Sequence, residues 1–285
     1  MNKTLLGFMT IGSSLLFAEN HIELGVGFIS AKDNLMYIKE KKITSLASST
    51  TKQKLAIPVL SLEYNGFFVG SGDNVEGIGY RHDFDAFSLK VSYDNYEVFE
   101  NPYLLNQNRK LVDAQELGLS ISGDYSEFLE YSLSYKNIEI EDKVAKDAQQ
   151  SANEVSFNVN AVLLPLSKNA YMGLGYDFTY HDSKGKSNTH YKNGFSFFAL
   201  MQLATDYSLV TEVAYADYKF DSKNSYFNKK RDEQEVSVGT QFVIDNLFVE
   251  DAYLNTELFY AKVDSNIDFF NKEYEGVSMS YGYRF

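Results

Sequence analysis

Val277-Ser278-Met279-Ser280-Tyr281-Gly282-Tyr283-Arg284-Phe285 closes the chain. Apolar or aromatic residues take every second position, and Ser278, Ser280, Gly282 and Arg284 fill the gaps. Successive side chains of a strand point to opposite faces, so this spacing writes a strand with one greasy face and one small, polar face. Such a strand fits either a membrane wall or the edge of a soluble β-sandwich. The rest of the chain decides for the wall.

The pattern recurs. Val155, Phe157, Val159, Ala161 and Leu163 alternate with Ser156, Asn158, Asn160 and Val162. Met172, Leu174, Tyr176, Phe178 and Tyr180 alternate with Gly173, Gly175, Asp177, Thr179 and His181. Residues 22–28, 87–93, 117–121, 129–135, 195–203 and 236–244 continue the series. The longest runs match the roughly 9 to 11 residues that a tilted membrane strand needs. Beyond the amino end no run is long enough for a spanning helix, which takes about 20 apolar residues. In lipid every backbone N–H and C=O must be paired without water, which leaves a closed barrel. Alternation dilutes hydrophobicity, so a 44% apolar content and a mean hydropathy of -0.30 are compatible with a membrane.

At the amino end, Met1-Asn2-Lys3 precedes an apolar run over 5–17, then Ala18 and the polar Glu19-Asn20. A cationic start, a short hydrophobic stretch and a small residue at a cleavage point form a secretory signal. The expected organisation is a signal over 1–18 and one barrel over 19–285. A closing strand ending in an aromatic resembles the assembly signal of bacterial outer-membrane barrels. Tyr281, Tyr283 and Phe285 would then present it to the barrel assembly machinery.

Connections alternate in length. Short polar turns are expected near 65–66, 83–86, 123–127, 165–169, 204–207 and 245–251. Long polar loops are expected at 31–54, 97–113, 139–153, 182–192, 219–234 and 264–275. Asp73-Asn74 is a tight connection where a long one is due. The fold expected is therefore all-β: a transmembrane antiparallel up-and-down β-barrel of about 14 strands, with short periplasmic turns and long extracellular loops. Twelve strands is the alternative, because the segments around Phe67 and Ile78 are short and glycine-rich.

Three segments resemble one family: Asn101-Pro102-Tyr103-Leu104, Phe227-Asn228-Lys229-Lys230-Arg231-Asp232-Glu233 and Ser265-Asn266-Ile267-Asp268-Phe269-Phe270. The closing Tyr281-Gly282-Tyr283-Arg284-Phe285 is similar too. The family is domain of unknown function 2860, and the resemblance implies a Gram-negative outer membrane and a barrel, with no activity. Leu62-Glu63-Tyr64-Asn65-Gly66-Phe67-Phe68 and Gly77-Ile78-Gly79-Tyr80 resemble, more weakly, the MipA/OmpV family, for which a scaffolding role toward murein-processing enzymes has been proposed.

Chemistry is sparse in the residue list. There is no cysteine, so disulfides and thiolate sites are absent. The net charge of -13 disfavours nucleic acid, whose phosphates need a basic surface. Four histidines, His21, His82, His181 and His190, lack a spacing that would build a triad; His190 is expected in a loop, and the chain reads as a non-enzyme. No cofactor or metal is expected, since acidic runs such as Asp73-Asn74-Val75-Glu76 lack calcium-loop spacing. The polar face carries Lys90, Asp94, Glu116, Glu130, Lys136, Asp177, Glu212, Glu257 and Arg284. A Lys or Arg facing mid-bilayer lipid costs about 2–4 kcal/mol, so these nine are expected to line the lumen.

In the loops, Phe227, Lys229, Lys230, Arg231, Phe269 and Phe270 are expected to cluster. The cluster would either grip lipopolysaccharide phosphates or an anionic solute, or fold the loops inward by pairing with Asp232, Glu233 and Asp268. The expected role is a monomeric, porin-like narrow channel for small solutes in outer-membrane lipid. A non-conducting envelope scaffold that docks a periplasmic murein enzyme is the alternative.

Overall fold

The computed structural model describes residues 20–285 apart from 40–41, 72–75, 104–110, 127 and 168; the expected signal and the Asp73-Asn74 turn lie outside the described residues. Fourteen strands follow one another. They are β1 (His21–Lys39), β2 (Lys42–Tyr64), β3 (Phe67–Ser71), β4 (Glu76–Asp83), β5 (Ser88–Phe99), β6 (Leu111–Ser126) and β7 (Leu129–Ile140). The second half comprises β8 (Ala152–Ser167), β9 (Ala170–Ser183), β10 (His190–Ala204), β11 (Tyr207–Asn224), β12 (Lys229–Asp245), β13 (Ala252–Ser265) and β14 (Lys272–Arg284). Each pairs antiparallel with its chain neighbours, and β1 pairs with β14 to close the barrel. The glycine-rich β3 and β4 are both present, which selects 14 strands over 12.

The hydrophobic effect is inverted in this wall. Leu24, Leu117, Leu174, Phe195, Val238, Leu258 and Met279 are exposed on the outside, whereas Glu23, Glu116, Glu235, Gln241, Asn255 and Glu257 are buried on the inside. Only lipid makes the outer face favourable, because apolar groups left in water forfeit about 25 cal/mol per Å². The period-two sequence decides which residues go where.

Glycine shapes the inner face. Gly79, Gly173, Gly276 and Gly282 sit directly across from Phe68, Phe198, Phe259 and Tyr253 on the neighbouring strands. A Cβ on any of these glycines would collide with the facing ring. Each aromatic therefore lies flat along the wall instead of projecting into the lumen.

The structure corrects two loop expectations. Residues 31–39 and 42–54 run as a paired ribbon, with Asp33 opposite Thr51 and Ile38 opposite Ile43. Within 219–234 only 225–228 is a turn, and Lys223 pairs with Lys230. A strand that extends beyond the bilayer needs no alternation in hydropathy, so its pattern disappears while the backbone ladder and its Thr and Ile residues continue the strand.

Val238 and Gly239 test the two-faced wall directly. Val238 is exposed outside, and a Cβ on Gly239 meets nothing within 4 Å. Val238→Lys should destabilise the folded protein in lipid vesicles by about 2–4 kcal/mol, whereas Gly239→Ser should change it by about 0.5 kcal/mol or less. Urea unfolding followed by heat-modifiable gel migration reads both.

Candidate functional site

Because polar side chains are forced inward, the lumen has to solve its own electrostatics. Arg81 pairs with Glu63 at 2.8 Å, Lys136 with Glu116 at 3.1 Å, Lys192 with Asp177 at 2.8 Å and Arg284 with Asp245 at 2.7 Å. Other carboxylates accept from neutral donors. Tyr218 donates to Glu235 at 2.7 Å; Gln241, Asn255 and Ser278 donate to Glu257 at 3.1, 3.3 and 3.2 Å.

Against the inner faces of β11–β14 these acids border a cavity of about 200 Å³. Glu212, Glu233, Glu235 and Glu257 line it, together with Tyr218, Phe220, Phe259, Phe270 and Tyr274. Arg231 and Lys272 are its cations. Glu212 Oε1 is shielded from solvent and makes no hydrogen bond among the described residues. The cavity is acidic and aromatic at once.

Loops roof it. Tyr103, Ala148, Ile267 and Phe270 are buried together, with Val144, Tyr226, Phe227 and Phe269 packed against them. Tyr103 is the keystone: its ring stacks on Tyr226 at 4.1 Å and on Phe269 at 5.5 Å, and its hydroxyl accepts from Asn224 Nδ2 at 2.9 Å. Burial pushes the Tyr103 phenol above its ordinary pKa, so it stays neutral and remains part of this apolar cluster. Polar ties hold the loops to one another. Asp147 accepts from the Ser225 backbone and hydroxyl at 2.9 and 2.8 Å, Tyr226 Oη accepts from the Ala145 N–H, and Asn188 Nδ2 donates to the Ala148 carbonyl at 2.8 Å. Charge-assisted and neutral hydrogen bonds of this kind, acting together, fix a loop in one geometry.

Arg231 joins roof and cavity. Its guanidinium carbon lies 3.6 Å from the Phe220 ring centre and 4.2 Å from that of Phe270, with Nε 3.5 Å from Glu233. Lys229 and Lys230, by contrast, are exposed; Lys229 Nζ donates to the Asn266 carbonyl and the Lys230 carbonyl accepts from Asn266 Nδ2. Phe227, Phe269 and Phe270 touch one another with ring centres 5.0 to 5.5 Å apart. The loop residues named from sequence thus divide, with Arg231 and the three phenylalanines turned inward and the two lysines outward.

Among the nine polar-face residues, Glu212 and Glu257 line the cavity, and Arg284 sits at the end of β14 with its guanidinium 4.4 Å from the Tyr253 ring. Lys90, Asp94, Glu116, Glu130, Lys136 and Asp177 lie on β5, β6, β7 and β9; Lys90 Nζ rests 4.5 Å from the Phe68 ring. Tyr281 and Tyr283 face outward, and Phe285 stacks 6.3 Å from Tyr283. Sequence reasoning missed Glu235 and Tyr103 as site residues and named Glu233 only as a pairing partner for the loop cations, the place it takes beside Arg231. On β12 the two glutamates share the parity of Ser237 and oppose that of outward Val236 and Val238, so alternation could have found them; Tyr103 had no such signal.

The histidines separate into three places, and His82 lies near the end of β4 against the Phe84 ring, with ring centres 4.5 Å apart. His190 opens β10 instead of lying in a loop, because the ladder with His181 continues above the apolar band. The two rings stack at 4.9 Å, and His181 Nδ1 is 3.1 Å from Glu154. His21 meets Ser61 at 3.0 Å, both buried within the wall. Among the described residues no group of three or more histidine and acidic side chains is placed to hold a metal ion.

A closed, inside-out antiparallel wall with a roofed lumen defines an outer-membrane-type β-barrel. The chain belongs to the family described as protein of unknown function DUF2860, whose model matches residues 18–284. Comparison with curated protein sequences finds no match. Among solved structures it is similar to an outer membrane channel from Pseudomonas putida F1, at 10% identity, TM-score 0.54, covering 94% of this chain and 97% of that one. It is also similar to a bacterial polysaccharide outer membrane secretin, at 10% identity and TM-score 0.52 over 94% and 100% of the two chains. The CymD monoaromatic hydrocarbon channel matches at 11% identity and TM-score 0.50 over 94% and 89%. At such identities the likeness shows the fold.

Tyr103→Ala should loosen the roof while leaving the wall intact. Truncating a buried aromatic costs about 3–5 kcal/mol locally. Limited proteolysis should cut the loops about tenfold faster or more, with the barrel's heat-modifiable migration unchanged.

Proposed function

We propose that this protein is a non-catalytic barrel of the Gram-negative outer membrane that gives small solutes a narrow, cation-leaning passage controlled by its loops. The acidic cavity directly beneath a loop roof carries this reading. A 14-strand wall lies between the barrels of about 8 strands, whose side chains fill the interior, and those of about 16 to 18, which leave an aqueous channel. Ion pairs narrow the lumen further, and the carboxylates around the cavity favour cations. The channels among the similar structures agree with this reading.

In the same proposal, Tyr281, Tyr283 and Phe285 present the closing strand to the assembly machinery, and exposed Lys229 and Lys230 face lipopolysaccharide at the outer rim. A second reading, a silent barrel that docks a periplasmic partner, draws on exposed Phe248 in a short connection and exposed Tyr125 at the end of β6.

Refolded protein in planar bilayers should show small unitary conductances with reversal potentials favouring K⁺ over Cl⁻. Glu235→Gln with Glu257→Gln should lower that preference about twofold or more, and opening the roof by deleting 266–271 should raise conductance. A folded but electrically silent sample would remove the passage and leave the docking reading. Gly276→Val gives an independent handle. The new side chain collides with Phe259, whose ring lines the cavity, and should push it inward and reduce conductance.

A further inference from the structure

Of the two cations that line the cavity, Arg231 is the one held against aromatic faces. Arg231 descends from the roof and places its guanidinium over the faces of Phe220 and Phe270, beside Glu233. Aromatic faces carry negative potential, and a desolvated guanidinium above two of them is a strong cation–π arrangement. Phe220 is 1% exposed and packs against the tilted His190 ring with ring centres 4.6 Å apart, so the box is rigid on that side. Below it the carboxylates of Glu212, Glu235 and Glu257 face the same space, next to Phe259 and Tyr274.

We infer that this cavity is a binding site for small organic cations with an apolar body, and that Arg231 is a tethered competitor that occupies its upper end until such a solute enters. The inference rests on the reading of the barrel as a solute passage and names the class of solute.

Size, charge and surface agree on that class. A dry cavity of about 150 Å³ accommodates benzene in another protein, so about 200 Å³ holds a single ring with a short charged arm. An ammonium or guanidinium head finds an acceptor in Glu212 Oε1, which is shielded and makes no hydrogen bond among the described residues. The apolar body packs on the Phe259, Phe270 and Tyr274 rings. Anions meet the same carboxylates and are rejected by repulsion, and neutral solutes gain no charge-assisted hydrogen bond there. Inorganic cations gain less, because the aromatic walls cannot replace their hydration shells.

A tethered competitor makes an unusual prediction: removing a cation from the site strengthens binding. The test uses the whole folded chain in nanodiscs and equilibrium dialysis with benzylammonium, benzyl alcohol and phenylacetate. Benzylammonium should bind about tenfold or more tighter than benzyl alcohol, and phenylacetate more weakly than either. Glu235→Gln should weaken benzylammonium about tenfold, and Arg231→Gln should strengthen it several-fold, roughly threefold or more. Arg231→Lys keeps the charge but not the flat guanidinium, so it should fall between wild type and Arg231→Gln; it also serves if Arg231→Gln does not fold. Equal binding of benzylammonium and benzyl alcohol overturns the inference, as does unchanged or weaker binding in a folded Arg231 variant. Bilayer recordings on the same samples separate the two readings. Conductance without benzylammonium selectivity overturns this site and leaves the passage; selective binding by a silent barrel supports the site and overturns the passage.

Discussion

Thirteen backbone pairs between β1 and β14, from His21 opposite Arg284 to Asp33 opposite Lys272, convert a curled sheet into a wall without edges. In hydrocarbon an unpaired N–H or C=O costs several kcal/mol, so an open seam would cancel the gain from burying the outer face in lipid. Side chains reinforce the seam from within. Glu23 on β1 accepts from Tyr253 Oη on β13 at 3.2 Å and from Ser280 Oγ on β14. Arg284 lies over the same Tyr253 ring and pairs with Asp245, which extends the network to β12. The Phe285 N–H donates to the Asn20 carbonyl at 3.1 Å, so the two ends of the barrel meet where the wall closes.

Closure sets the problem that the lumen then solves. Polar residues that cannot face lipid are crowded together inside, where a single unpaired charge costs more than it would in water. On one side cations and carboxylates cancel through Arg81–Glu63, Lys136–Glu116 and Lys192–Asp177. On the other, along β11–β14, carboxylates outnumber cations and are held by a tyrosine, amides and a serine hydroxyl. The aromatic residues laid flat across glycines keep that side from filling. The cavity is thus a product of the glycine positions as much as of the acids.

How much of this could be read from residues alone follows from which faces each strand presents. Where one face meets lipid and the other the lumen, as along Val236 to Ile244, alternation exposes the strand and its inward residues. Where the ribbon runs on past the apolar band, as at 31–39 and 42–54, the signal vanishes although the strands continue. The roof was legible in part. The phenylalanines and Arg231 lie in distinctive segments, but no spacing rule says that Arg231 turns inward while Lys229 and Lys230 turn outward. Tyr103 lies more than a hundred residues from its partners Asn224 and Phe269, and long-range packing of that kind leaves no local periodicity. The His181–His190 contact escaped for a different reason: it is local, but it depends on the register between β9 and β10.

Among the described residues the strands are also unequal in length. β3 has 5 residues and β4 has 8, whereas β11 and β12 have 18 and 17. Outward apolar positions on the short pair amount to Phe67, Val69, Ile78 and Tyr80, against Val236, Val238, Phe242 and Ile244 on β12 together with Thr240. A bilayer wrapped around such a cylinder has to pinch on one flank, at a cost of fractions of a kcal/mol for each ångström of mismatch. Among the described residues β3 and β4 thus offer lipid a shorter apolar band than β12 does, and acyl chains beside them have less of it to cover.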